Sequence, residues 1–296
     1  MNPETKKPLV SVIIPSYNSQ FYIARCLHSI INQHTTFSYE VIVVDSSKDD
    51  TPIIIKHNFP SVQLISLKSQ TFPGAARDIG VKESQGEIIA FIDSGCIASQ
   101  DWLEKGIQTL HQGYSFVGGA VKNANPGIIS TADYIIAFSE LFPTMPSKKV
   151  SFMATCNFMC MKEAFKKVGG FDPSLLAGED TLFCYLAAQN FSLYFNNSLL
   201  VSHHNRVRFT KYMNHQYNFG KYASRLRKKV KLPGNIFAKY PFLALFIPGV
   251  RFVRISLRMI RWNYKMLPQF ILLTPLILVG IFSWSWGFIR ENLQKK

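Results

Sequence analysis

The chain has 296 residues, 47% of them apolar, and a formal net charge of +15. That length and apolar fraction are enough for a full hydrophobic core plus an appendage, and they exclude a disordered chain. The charge is segregated: residues 1–205 hold 15 Lys+Arg against 17 Asp+Glu, while residues 206–296 hold 18 against one acid, Glu291, so the basic excess belongs to the last third alone.

Taken in chain order, Val10-Ser11-Val12-Ile13-Ile14 predicts a buried strand that stops at Pro15-Ser16-Tyr17-Asn18. Phe21 to Gln33 has a helical period, with Ile23, Leu27, Ile30 and Ile31 on one face. Val41-Ile42-Val43-Val44 predicts a second strand stopping at Asp45, and after a turn over Ser46 to Asp50 a helix begins at Thr51 and runs to Asn58. Val62 to Leu67 reads as a strand and Pro73 to Ser84 as a helix. Ile88 to Ile92 is a central strand stopping at Asp93-Ser94-Gly95, Asp101 to Gln112 a helix capped by Ser99, and Tyr114 to Val121 a strand. Runs this rich in Val and Ile read as buried parallel strands, and their alternation with helices supports a nucleotide-binding half. Ligands of such sheets bind beyond the carboxyl ends of the strands, so Asp45 and Asp93 are expected to face a common crevice.

Pro126 to Lys149 is less regular. Phe152 to Asn157, a helix from Lys162 to Lys167 and Gly169-Gly170-Phe171-Asp172 follow. Gly178-Glu179-Asp180 then opens another helix, and a strand-like Leu193 to Phe195 leads to His203-His204. Leu232-Pro233-Gly234 marks a boundary between a globular part, 1–232, and a membrane-associated part, 233–296. In the latter, Arg251, Arg254, Arg258, Arg261 and Lys265 recur at steps of three or four among apolar residues, as expected of an interfacial helix within 233–265. Residues 267–289 are uncharged and long enough to span a bilayer once, and Tyr240 to Val250, interrupted by Pro241 and Pro248, reads as re-entrant or interfacial. Basic charge beside such a segment points to anionic membrane lipids and not to nucleic acid, and it places the globular part on the cytoplasmic side of a single-pass cell-membrane protein. The N-terminus shows no apolar signal core, and five scattered cysteines fit reduced thiols.

The candidate chemistry is carried by acids at strand and helix ends. Asp93 suits Mg²⁺ or Mn²⁺ bridging a diphosphate, or alternatively caps the next turn. Asp45 can accept from a base or ribose, or from its own Asx-turn. Arg77 suits phosphate, or is a solvated helical cation. Glu179 and Asp180 read either as helix-start acids favoured by the dipole or as substrate-binding and proton-accepting groups. Asn157 is counted with the substrate-binding residues. His203 and His204 offer imidazoles for a metal or a phosphate.

In this order the segments resemble family 2 glycosyltransferases. The likeness covers residues 9 to about 230 and rests on the stretches around Pro15-Ser16-Tyr17-Asn18, Glu40 to Ser47, Gly74 to Gly80, Gly86 to Asp93, Val168 to Asp172 and Gly178-Glu179-Asp180. It implies an α/β GT-A nucleotide-sugar-binding fold with a mostly parallel central sheet, followed here by the amphipathic and transmembrane helical region. By that resemblance Pro15, Tyr17 and Asp45 hold the donor's base and ribose, Arg77 its diphosphate, and Asp93 a divalent metal, while Asp180 is the base for inverting transfer to a lipid-linked or polysaccharide acceptor. Two positions depart from the pattern. The usual Asp-x-Asp is Asp93-Ser94-Gly95, for which His203 or His204 is the proposed substitute ligand, and Asp78 stands where Asn is usual. These departures keep open a catalytically silent nucleotide-sugar-binding membrane scaffold.

Overall fold

The structure, a computed structural model, describes residues 7–294. The chain divides into two units: the first runs to Ala120 and resumes over Pro146–Ser202, and the second comprises Val121–Met145 and the chain from His203 onward.

The first unit is built on a mixed sheet. Strands β1 (Val10–Ser16), β2 (Tyr39–Asp45), β3 (Gln63–Ser66) and β4 (Ile88–Ile92) are joined by helices α1 (Ile23–Ile31), α2 (Thr51–Asn58) and α3 (Pro73–Glu83). They lie in the order β3-β2-β1-β4, every pair parallel. Every residue of β1 and β4 is buried, which is why these strands read as continuous apolar runs without alternation. The chain moves outward from β1 through β2 to β3 and then returns to β1's other side as β4, so β1 and β4 flank a topological switch point. Their register stops at Ile13 opposite Phe91, whereas β1 stays paired with β2 as far as Ser16 opposite Asp45. Pro15, which has no N–H to donate, falls where the ladder toward β4 has ended. The strands therefore part at their carboxyl ends, where Asp93 and the segment after Ser16 emerge.

Next come β5 (Cys96–Ala98), α4 (Trp102–Leu110) and β6 (Phe116–Asn123); α5 (Ile128–Phe138) belongs to the second unit. The first unit resumes with β7 (Lys148–Val150), β8 (Asn157–Met161), α6 (Lys162–Val168), α7 (Glu179–Ala187) and β9 (Leu193–His203). These strands extend the sheet to β3-β2-β1-β4-β8-β6-β9-β5, with β7 paired to β9. From β4 onward the pairs β4–β8, β6–β8 and β7–β9 are antiparallel. The expected α/β sheet is thus present, with a parallel half that forms the crevice. Under it Phe91, Phe116, Phe158, Phe165, Phe171 and Phe183 form one buried cluster, Phe171 and Phe183 with ring centroids 5.0 Å apart. At about 1.5–3 kcal/mol for each fully buried apolar side chain, this cluster fixes α7 and the loop before it against the sheet.

The second unit is helical: α5, α8 (Phe209–Lys229), α9 (Asn235–Lys239), a 3-10 turn over Pro241–Phe246, α10 (Ile247–Trp262), a second 3-10 turn over Tyr264–Met266, and α11 (Leu267–Leu293). Helix α5 replaces what reads as an irregular stretch. It is buried on nearly every side, so its sequence lacks the one-sided period that marks a surface helix. Its Asp133 is fully buried and accepts from Arg206 Nη1 at 3.2 Å and Gln216 Nε2 at 3.1 Å, with His215 Nδ1 at 3.4 Å. Helix α10 ends at Trp262, so Lys265 lies in the turn beyond it and not on the same helix as the four arginines. Tyr264–Leu293 is, among the described residues, the one helical segment long and apolar enough to cross a membrane.

Candidate active site

The crevice at the switch point gathers its charge around Arg77. Helix α3 carries this residue and lies close to its neighbours at both ends: a Cβ on Gly80 would come within 2.5 Å of Ile13 Cγ2 on β1, and one on Gly74 within 3.0 Å of Phe171 Cβ and 3.2 Å of Glu179 Cγ. Small residues at these two positions seat the helix against β1 and the start of α7. Arg77, 2% exposed, then donates from Nη2 to Asp93 Oδ1 at 2.6 Å and from Nη1 to Glu179 Oε1 at 2.9 Å. Its guanidinium carbon also lies 5.8 Å from the centroid of the Phe171 ring. The solvated-cation reading of Arg77 is therefore excluded: the residue is a buried clamp between two carboxylates from separate parts of the chain.

Asp93, with a side chain 34% exposed, reaches solvent while Glu179 is buried. Asp180, the next residue along α7, is half-buried and accepts from the backbone N–H of Thr181 at 2.7 Å. Burial first, and the neighbouring Glu179 charge second, push its carboxyl up to about 7. A carboxylate tuned to that value accepts a proton more strongly than an ordinary one and still ionises near neutral pH.

On the β1 side, Pro15 is buried at the strand end and Tyr17 is 39% exposed. Asn18 takes a positive φ of 51°, a conformation its short polar side chain tolerates, and accepts from the Lys48 N–H at 3.0 Å. Asp45 is buried, with Oδ1 accepting from Ser47 Oγ at 2.6 Å and Oδ2 from the Ser47 N–H at 3.2 Å, which is the local Asx-turn geometry. A hydroxyl pair that sequence reasoning missed, Ser19 Oγ and Ser94 Oγ at 2.8 Å, ties the loop after β1 to the loop after β4. No spacing rule signals such a contact across 75 residues.

Asn157 is beside this site in the backbone, opposite Ile92 in the sheet, but its side chain is 1% exposed and engaged. Its Nδ2 donates to Ala120 O at 2.8 Å and Leu199 O at 2.9 Å, and its Oδ1 accepts from Trp102 Nε1 at 2.8 Å. It joins strands and α4 in the interior and reaches no solvent. His203 and His204 begin the return into the second unit; there His203 Nδ1 is 3.0 Å from Asn205 Oδ1 and its ring centroid is 5.0 Å from that of Phe138. Asp78 has a structural use: both its carboxylate oxygens accept from the Phe171 N–H at 3.2 Å, holding Gly169-Gly170-Phe171 against α3.

Among the described residues no three His, Cys, Asp or Glu side chains gather as a metal site. Around Asp93 the donor set is one carboxylate with one oxygen engaged by Arg77, and a Cβ at Gly95 would meet no atom within 4 Å. Mg²⁺ and Mn²⁺ are commonly held by one or two carboxylates together with phosphate oxygens and water. The residues present therefore fit a cation brought with a diphosphate, with Asp93 as the protein's ligand, and do not form a cation site by themselves.

The sequence model of the family described as Glycosyl transferase family 2 matches residues 11–169. The chain is a family 2 glycosyltransferase. This enzyme is 30% identical over 221 residues to Glycosyltransferase AglE of Haloferax volcanii, with 72% of each chain covered. It is 23% identical over 265 residues to a Methanococcus voltae enzyme named dolichyl N-acetyl-α-D-glucosaminyl phosphate 3-β-D-2,3-diacetamido-2,3-dideoxy-β-D-glucuronosyltransferase, covering 80% of this chain and 79% of that one. Its fold is similar to that of the mannosyltransferase PcManGT from Pyrobaculum calidifontis, solved with GDP-Man and Mn²⁺, at a TM-score of 0.62 and 16% identity over 96% of this chain and 88% of the other. The glycosyltransferase thus combines a nucleotide-sugar-type α/β unit with a long apolar C-terminal helix consistent with membrane attachment.

Proposed function

We propose that this glycosyltransferase moves a sugar from a nucleotide diphosphate donor, with inversion at the anomeric carbon, to a lipid-linked or polysaccharide acceptor at the cytoplasmic membrane face, in cell-surface polysaccharide or glycolipid assembly. The observation that carries the reading is the Arg77 clamp, which positions Asp93 and the Glu179-Asp180 pair about one guanidinium group.

In this reading the exposed Tyr17 ring stacks on the base, Pro15 and Asp45 complete the wall beside the base and ribose, and Asp93 faces the diphosphate. A divalent cation, when bound at Asp93, supplies positive charge to the departing diphosphate. Arg77 acts on the donor side mainly by fixing Asp93, and Glu179 by fixing Arg77. Asp180 takes the proton from the acceptor hydroxyl as its oxygen bonds to the anomeric carbon and the bond to the diphosphate oxygen breaks. Attack opposite the leaving group gives inversion.

A lipid-linked acceptor is favoured by the dolichyl sugar phosphate in the Methanococcus voltae relative's name and by the apolar helix of this chain. Residues 267–289 have the length of a single crossing, but the packing of α8 favours a different arrangement. The reading is tested by incubating detergent-solubilised full-length protein with labelled uridine and guanosine diphosphate sugars and a polyprenyl-phosphate lipid fraction. Label entering the organic phase with wild type and not with Asp180→Asn supports it. Transfer by Asp180→Asn at the wild-type rate contradicts it.

A further inference from the structure

Helix α11 has the length of a bilayer span but not the surroundings of one. Helix α8 lies against it so closely that a Cβ on Gly220 would sit 1.8 Å from Trp284 O, and one on Gly287 2.1 Å from Tyr217 O. Polar contacts continue along the seam: Tyr212 Oη donates to Leu276 O at 3.0 Å, Ser283 Oγ to Met213 O at 3.0 Å, and Arg225 Nε to Glu291 Oε1 at 2.6 Å. The two helices therefore run parallel from about Leu276 to Glu291. Along this seam α8 sets Lys211, beside Tyr212, and Lys221, whose backbone nitrogen a Cβ on Gly287 would approach to 3.2 Å, against the 267–289 segment, while Arg225 and Lys228 meet Glu291 and Asn292 beyond it. Were 267–289 to cross a bilayer, α8 would be carried in with it, and charges at hydrocarbon depth are strongly disfavoured. The stretch of α11 ahead of this seam, residues 267–275, spans only about 13 Å at 1.5 Å per residue, less than half of a hydrocarbon core of about 30 Å.

The exposed surfaces show what replaces a crossing. On α11, Phe270, Leu273, Ile277, Ile281, Trp284 and Phe288 are buried, while Leu272, Val279, Phe282 and Trp286 form an outward stripe, Leu272 at 78% exposure. Helix α10 is turned inside out. Arg251 lies over the Trp284 ring at 4.1 Å and Arg258 bonds to Glu140, while Val250, Val253, Leu257 and Ile260, at steps of three and four, are exposed, and exposed Phe246 and Tyr264 stand in the 3-10 turns at its two ends. Arg254, Arg261 and Lys265 are exposed beside that stripe.

We propose that the second unit is monotopic: the outward stripes of α10 and α11 sink into one leaflet of an anionic bilayer, α8 covers α11 from the aqueous side, and no segment crosses. The occupant of these stripes is lipid because apolar side chains are bordered by cations in a third of the chain with a single acid, which matches acyl chains beneath anionic headgroups. Turnover in detergent reports on the sugar chemistry alone, so membrane docking and catalysis are tested separately.

The test uses the full chain with one epitope tag at each end, expressed in cells and prepared as sealed vesicles of known orientation. Monotopic docking predicts that protease removes both tags from the same face; removal from opposite faces overturns it. In parallel, purified protein is mixed with vesicles of phosphatidylglycerol and phosphatidylcholine or of phosphatidylcholine alone. We expect preference for the anionic vesicles, and at least a tenfold loss of binding in the pairs Leu257→Asp/Ile260→Asp and Val279→Asp/Phe282→Asp, each checked for retained turnover in detergent. Undiminished vesicle binding by the folded pairs, or a stable dimer of the wild type that ignores vesicles because a second copy covers the stripes, would refute the proposal.

Discussion

Arg77 Nη2 lies 2.6 Å from Asp93 Oδ1 while Nη1 of the same guanidinium lies 2.9 Å from Glu179 Oε1. One planar fork thus sets the distance between the residue nearest the diphosphate in our reading and the start of the helix that presents Asp180. Lysine is a compact ammonium with no planar fork, so it does not reproduce the fixed geometry in which the two guanidinium nitrogens span Asp93 and Glu179. Arg77→Lys is therefore expected to fold with reduced stability and to lose about 100-fold in kcat/KM, on the order of 2.7 kcal/mol. Arg77→Met leaves Glu179 buried without its partner and should destabilise by about 3–5 kcal/mol. Thermal melts alongside steady-state kinetics separate the two effects.

Asp180 must be ionised to accept a proton, and its carboxyl is pushed up to about 7 by burial and by Glu179. We expect kcat/KM to rise with pH through an inflection near 7 and to level off above it. Asp180→Asn should lower kcat by about 10³-fold or more, in line with the loss of a positioned base, while leaving donor affinity within a few-fold. An inflection at an ordinary carboxylate value, near pH 4, would assign the base elsewhere.

Asp78 accepts from the Phe171 N–H, yet burial raises its carboxyl to about 6. Between the usual carboxylate range and pH 6, the unfolded chain has lost this proton while the folded chain retains it. Stability from this group is therefore lost as pH rises through that window, and the loss is complete above 6. Asp78→Asn keeps an acceptor for Phe171 without the buried charge. Its melting temperature is predicted to exceed that of wild type at pH 7.5, with the difference vanishing below pH 4.

Gly95 faces open space: a Cβ there would meet no atom within 4 Å, and no positive φ strains a side chain. Gly95→Asp should fold as well as wild type. By adding a second carboxylate beside Asp93 it should tighten Mn²⁺ binding in the presence of a nucleoside diphosphate by about tenfold, roughly 1.4 kcal/mol. Titration calorimetry with and without nucleotide reads this directly.

The parallel half of the sheet was legible because buried Val and Ile runs and the residues that stop them are local signals: α2 runs from Thr51 to Asn58 as expected, and Asp45 and Asp93 stand at strand ends. Strand β8, Asn157–Met161, was not legible because it contains none of the Val and Ile that mark the parallel strands, and helix α5 was not because a helix buried on nearly every side carries no one-sided period. Ser99 does not cap α4 with its side chain; its Oγ bonds Asp101 Oδ1 at 3.0 Å, and its carbonyl accepts from the Trp102 N–H. The site residues could be nominated one by one, but their bonding could not. Arg77 meets Glu179 across 102 residues, and Asn157, nominated for substrate, is occupied by Trp102, Ala120 and Leu199. Which polar group satisfies which is decided by packing, and local spacing does not encode it.

The most direct measurement is calorimetric binding of uridine, guanosine and thymidine diphosphates to the full-length protein in detergent, with and without Mn²⁺, beside Asp93→Ala. The account predicts Mn²⁺-dependent binding of one nucleotide that is lost in Asp93→Ala. Equal binding to wild type and variant, or no nucleotide binding under any condition, would contradict the placement of the diphosphate at Asp93.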